Sequence, residues 1–170
     1  KIERVNEFKL LGVIIRSDLR WNSHVKYIVA KASKRIFVLC TLIRSGVSTV
    51  DILAVYCSIV RSVFECASSV WHCGLTKEQS LEIEKVQKRC LRLIFPNLSY
   101  RNALLLAGLE RLAERRERVS HALFQEIKRP NHILHNLLQL KDKNKAKINT
   151  RDQYPFRIPR PKTPRSSRSL

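Results

Sequence analysis

Along most of this chain apolar residues recur at spacings of three and four, the period of a helix with one buried face. Val25, Ile28, Val29, Ala32, Ile36, Leu39 and Ile43 share such a face and predict a helix from an N-cap at Asn22 or Ser23 to about Arg44. From an N-cap at Ser48 or Thr49 the next helix is apolar nearly all round between Ile52 and Trp71, as expected of a central helix covered on several sides. A third opens with the capping box Thr76-Lys77-Glu78-Gln79 and buries Ile83, Val86, Cys90 and Ile94. A short helix is predicted from Ser99 to Leu106. A longer one follows from about Leu109 to Lys128, with Leu112, Val119, Leu123 and Ile127 as its seam and Pro130 as its stop. A last weak turn lies near Ile133 to Leu140, and Gly46, Gly74 and Gly108 fall where helical patterns end. Only the opening reads as β: Phe8 to Ile15, interrupted by Gly12, then a turn through Ser17 and Asp18, making a hairpin or one strand plus a return. The expected architecture is mainly α, with a small β-hairpin over residues 1–21 followed by a bundle of four to six helices over residues 22–140.

Charge changes this picture by pointing to a partner. The 170 residues hold 33 Lys and Arg against 14 Asp and Glu, a net +19, which calls for a polyanion. Residues 141–170 carry five lysines, five arginines and four of the six prolines, and are expected to be extended or disordered when free. The absence of methionine reads as a piece cut from a longer protein. Five cysteines, an odd number placed within helical patterns, argue against a secreted disulfide framework, so the expected location is intracellular, in nucleus or cytoplasm. No signal peptide is recognisable, and the most apolar segment, from Ile52 to Trp71, is interrupted by Arg61 and Glu65, so no membrane span is expected.

The clearest chemical feature lies on the third helix. At 100° per residue Lys85, Lys88, Arg89 and Arg92 occupy an arc of about 100° opposite the apolar stripe, with no acid among them. A rigid row of long cations suits nucleic-acid phosphates, although a merely solvated face is the bland reading. Lys31 and Lys34 on the first helix are expected to contribute further phosphate contacts. Arg115 and Arg116, among Glu110, Glu114 and Glu117, are expected to pair within their own helix. No catalytic residue, metal site or cofactor is expected for the chain itself. Asp18, Asp51, Asp142 and Asp152 are too scattered to hold metal ions, and Cys66, His72, Cys73 and Cys90 lack a paired knuckle for zinc. His24 and His121 have no partnering nucleophile, Ser68-Ser69 no base, and no Gly-rich phosphate loop occurs.

Several of these segments form an ordered series: Phe8-Lys9-Leu10-Leu11-Gly12-Val13, then Trp21 and His24, Tyr56 to Ser62 with Val70-Trp71, Gln87 to Ile94, and Gly108-Leu109 with Arg115-Arg116. In order and spacing the series resembles the C-terminal part of reverse transcriptases from jockey-like non-LTR retrotransposons, over about residues 5 to 128. The resemblance implies that Leu11, Gly12 and Val13 belong to a primer-grip hairpin and that the helices form a thumb closing on an RNA template with its DNA primer. It also implies that the parent enzyme, an RNA-directed DNA polymerase, needs Mg2+ and that the palm and fingers are partners of this segment. The sequence departs from the family in three places. It has no match to the paired palm aspartates, so the chain itself is expected to be inactive. Phe64-Glu65-Cys66 stands where glutamate followed by tyrosine is expected, and neither a zinc knuckle nor a nuclease signature follows. A stand-alone helical RNA- or DNA-binding module is the alternative reading, and a helical protein-interaction or membrane-surface module a third.

Overall fold

The computed structural model describes residues 5–138, and it is mainly helical after an N-terminal two-stranded hairpin. The described residues fall into two units divided between Val119 and Ser120. In the first, strands β1 (Glu7–Leu10) and β2 (Val13–Arg16) run antiparallel, with Leu10 opposite Val13 and Phe8 opposite Ile15. The turn is the pair Leu11 (φ 46°) and Gly12 (φ 88°), both in the left-handed region that a two-residue hairpin turn of this twist requires. Glycine adopts it freely, whereas Leu11 does so at a cost of about 1 kcal/mol. The turn expected through Ser17 and Asp18 is present, with the Leu19 amide donating to the Arg16 carbonyl at 3.0 Å, but it follows the hairpin and does not form it: the Ser17 amide donates to the Asn6 carbonyl at 3.0 Å and extends the ladder. Apolar residues on both sides of Leu-Gly disguised the true turn as part of one strand.

Helix α1 (Asn22–Arg44) buries Val25, Ile28, Ala32, Ile36 and Leu39, the predicted stripe, together with His24. Its N-cap position is Trp21, one residue before the expected Asn22 or Ser23, and no side chain caps the helix. Those two polar side chains are engaged elsewhere: Asn22 Oδ1 accepts from Gln79, and Ser23 donates to Glu7 at 2.9 Å. Trp21 packs edge-on to His24, and its indole lies so close to Gly74 that a Cβ there would collide with the ring. Close approach, and not a left-handed backbone, is what requires this glycine.

The predicted central helix is broken into pieces. It starts as foreseen, with the Ser48 hydroxyl accepting from the Asp51 amide at 3.2 Å, and runs as α2 (Thr49–Val55), a π-helical turn (Tyr56–Arg61) and α3 (Ser62–Glu65). The widened turn loosens its own ladder, and Arg35 of α1 donates to the Ile59 carbonyl. At Ala67 the chain turns left-handed (φ 49°), and α4 (Ser68–Trp71) and a 3₁₀ turn (His72–Gly74) follow. Tyr56, Val60, Phe64 and Trp71 are fully buried, so the segment is the core that the pattern predicted, but the break leaves Val70 63% exposed.

Helix α5 (Lys77–Ile94) begins with both hydrogen bonds of its capping box and packs on α1. Helix α6 (Tyr100–Ala107) is capped by Ser99, and α7 (Leu112–Ile127) starts three residues later than predicted. In the second unit α7 ends before Pro130, and a 3₁₀ turn (His135–Leu137) stands where a last turn of helix was expected. The basic proline-rich segment, residues 141–170, lies outside the described residues, as do residues 139–140.

His24 joins hairpin and bundle, and this makes stability depend on pH. Its Nδ1 accepts the outward-facing Ile14 amide at 3.3 Å, and its ring lies edge-on between Trp21 and Trp71. Burial lowers its pKa below the ordinary 6.5, and burial does the same for His72. Each group binds its proton more readily in the unfolded chain, so stability is complete above pH 6.5 and declines as the pH falls through that value toward the folded pKa. Urea unfolding at successive pH values should show this decline, and His24→Gln, which keeps an acceptor without a titrating ring, should flatten it. An equally steep decline in the variant would remove His24 as its source.

Candidate nucleic-acid interface

Helix α5 sorts its side chains by chemistry on opposite faces. Ile83, Val86, Cys90 and Leu91 are buried, and burial pushes the Cys90 thiol up to about 12, so it acts as a small apolar residue at neutral pH. Lys85, Lys88, Arg89 and Arg92 are all exposed, and none has a carboxylate within ion-pair reach among the described residues. Over the seven steps from Lys85 to Arg92 the helix rises about 10 Å, so the row is longer than the spacing between neighbouring phosphates of a strand. Two turns earlier Glu78 falls on the same arc, and Leu81 on it is 53% exposed, so the basic row belongs to the C-terminal half of the helix.

A buried polar network holds this face outward. The Tyr56 hydroxyl donates to Gln87 Oε1 at 2.7 Å, and Gln87 Nε2 donates to the Tyr100 hydroxyl at 2.9 Å and to the Glu110 carbonyl at 3.0 Å. Tyr100 in turn donates to Glu84, whose other carboxylate oxygen accepts the Leu112 amide at 3.0 Å. Gln87 is 0% and Glu84 7% exposed, and burial raises the pKa of both tyrosines, so their hydroxyls remain protonated donors. The π-helical turn, α5, α6 and the start of α7 are thus joined through two residues of α5. The sequence reading missed this network, because Glu84 and Gln87 sit beside the charged row and read as surface residues; their offset toward the apolar stripe was the available signal.

Several arginines outside the row are engaged within the fold. Arg115 donates to both oxygens of Glu65, at 3.1 and 3.3 Å, and lies 3.6 Å from Glu110, which Arg61 and Arg118 also approach. Arg61 pairs with Glu65 at 2.7 Å. Arg116 is wholly buried: it donates to Ser80 at 3.1 Å and lies over the Trp71 ring, and burial lowers its pKa to about 10, opposed by the charge of Glu84. Of the acids expected to pair with Arg115 and Arg116, Glu110 does so with Arg115, from just before α7; the other groups they reach, Glu65, Trp71 and Ser80, come from α3, α4 and α5, so most of the expected pairing within the helix is replaced by tertiary contacts.

The remaining expected contacts do not join the row. Lys31 and Lys34 are exposed on α1, away from its buried stripe, and Lys31 lies 5.9 Å from the Tyr27 ring centroid, against which Lys9 packs at 4.4 Å. Because α1 and α5 pack together through their apolar stripes, their cations lie on separate faces. Leu11, Gly12 and Val13 also separate: Leu11 is 92% exposed at the hairpin tip, while Val13 is in the core. Of the apolar residues in the hairpin, Phe8 and Leu10 are half exposed and Val13 is buried, because β2 is the strand that packs on α1.

Among the described residues no three His, Cys, Asp or Glu side chains converge to hold a metal ion, and no helix is long and apolar enough to cross a membrane. No family model, curated protein or solved structure matches the chain.

Gln87→Leu should leave the Tyr56 hydroxyl and the Glu110 carbonyl buried without partners and lower stability by about 2–3 kcal/mol, read from urea unfolding. Adding Tyr56→Phe should recover part of the loss. A single variant as stable as the parent would show that the network does not hold these helices.

Proposed function

We propose that the chain is the nucleic-acid-gripping thumb segment of a retrotransposon reverse transcriptase, its α5 row lying along the phosphates of an RNA template with a DNA primer. The observation that carries the reading is the clustering of four exposed cations on one arc of α5 with no carboxylate partner among the described residues; Arg16, Arg20, Arg61, Arg111, Arg115 and Arg118 are paired with carboxylates, while Lys34, Arg44 and Arg101 are not paired but do not belong to such a row. Cations kept free of internal partners can exchange their counterions for phosphates, each contact releasing ions and adding about 0.9 to the salt slope. The ordered motif series is the support for the polymerase family. A glycine at the hairpin tip and an exposed Leu11 would suit close approach to a primer strand. In the parent enzyme the palm would supply the Mg2+ ligands and the chemistry, while this segment positions the duplex.

A stand-alone nucleic-acid-binding module is the second reading. It is favoured by a core that runs from Val13 to Leu112 and includes wholly buried Trp71 and Phe64. Both readings need the row.

Two measurements test the proposal. Lys85→Glu with Arg89→Glu should weaken binding to a template–primer duplex strongly and lower the salt slope by roughly 2, with helicity unchanged. Unchanged affinity at low salt would make the row a solvated face. The purified chain should incorporate no nucleotides with magnesium or manganese, and template-dependent extension above a mock preparation would overturn the assignment of chemistry to the palm.

A further inference from the structure

The basic row of α5 ends at a concavity. A cavity of about 270 Å³ lies between the C-terminal half of α5 and the start of α6, lined by Lys88, Arg92, Pro96, Leu98, Tyr100 and Ala103 among others. Lys88 and Arg92 are one helical turn apart, so both cations flank the same opening. The remaining lining is apolar or aromatic except for Ser99, whose hydroxyl caps α6 by accepting the Asn102 amide. Ala103 is buried beneath it, Leu98 is 37% exposed, and the Tyr100 ring is fixed because its hydroxyl is held by Glu84 and Gln87.

We propose that this cavity takes one unpaired nucleotide of a nucleic-acid strand whose neighbouring phosphates lie along the α5 row, a reading that rests on the function proposed above. The phosphate sits between Lys88 and Arg92, and the base lies against Pro96, Leu98 and the Tyr100 ring. A bare phosphate would satisfy the cations but leave the apolar wall uncovered, whereas a nucleotide carries both chemistries. Pairing is excluded by shape: a concave site of this volume holds one base, and a base stacked within a duplex cannot enter it without leaving the stack. The surface along α5 is convex and suits a duplex backbone; the cavity at its end suits the nucleotide beyond the last pair. Tyr100 is held in place before any ligand arrives, so little rotamer freedom is lost on binding.

The test compares a blunt duplex, the same duplex with a short single-stranded extension, and the extension made abasic, by fluorescence anisotropy with the full chain. The extension should tighten binding about tenfold over the blunt end, and the abasic extension should lose most of that gain. Leu98→Ala, a half-exposed rim position outside the basic row, should reduce the gain while leaving blunt-duplex affinity unchanged. If blunt duplex binds and the extension adds nothing, or the abasic extension binds as well as the intact one, the nucleotide site is overturned and the row stands. If no duplex binds at low salt, the row itself fails, and the site with it. Adenosine monophosphate binding as tightly as the extension gains would assign the cavity to free nucleotides and overturn the strand assignment.

Discussion

Everything around α5 depends on two polar side chains, Glu84 and Gln87, being buried on an otherwise apolar flank. A buried carboxylate or amide without partners costs more than most single contacts contribute, so each must be fully met by neighbours of defined direction. Here the neighbours are Tyr56, Tyr100, the Glu110 carbonyl and the Leu112 amide, drawn from separate segments of the chain. Apolar packing alone would let these helices slide or rotate with little penalty. The hydrogen bonds permit one rotation of α5, and that rotation decides which side chains face solvent.

The distribution of acids follows from the same constraint. Several carboxylates around α5 are committed inward or elsewhere: Glu84 to Tyr100 and Leu112, Glu65 and Glu110 to Arg61, Arg115 and Arg118; Glu82, exposed beside the row, is not. Exposed lysines and arginines are common and by themselves say little about function. A run of four on one arc, none with a carboxylate partner among the described residues, is a different electrostatic object, because exposed Glu82 beside it cancels its field only in part and the remainder extends about a Debye length into solvent. Where the row meets the groove before α6, two of its cations face apolar walls, and surface charge becomes a shaped site.

Hairpin and bundle are joined by equally specific contacts. His24 accepts the amide that β2 leaves unpaired, Ser23 and Arg16 meet at the same junction, and Val13 enters the core beside them. The π-helical turn is the corresponding adjustment in the central segment, where Arg35 meets the carbonyl that the widened ladder frees. In both places a polar side chain of α1 satisfies backbone left open by a neighbour. This is how one long helix can pack against a strand and an irregular rod at once.

The sequence by itself determined the helices with strong local signals: the stripe of α1, the capping box of α5, the Ser48 and Ser99 caps and the exposed basic arc, because periodicity and capping are set within a few residues of chain. It also placed a hairpin at the start, but not its turn, since Leu11 in a left-handed conformation has no local signature. Tertiary structure alone decided that Arg115 would leave its own helix for Glu65, that the predicted central helix would widen at Tyr56 and break at Ala67, and that Lys31 and Lys34 would face away from the α5 row. It also decided that a cavity would open beside Lys88 and Arg92. Each of these outcomes depends on which distant group satisfies a buried polar atom or fills a volume, and a single chain read in order does not contain that distance.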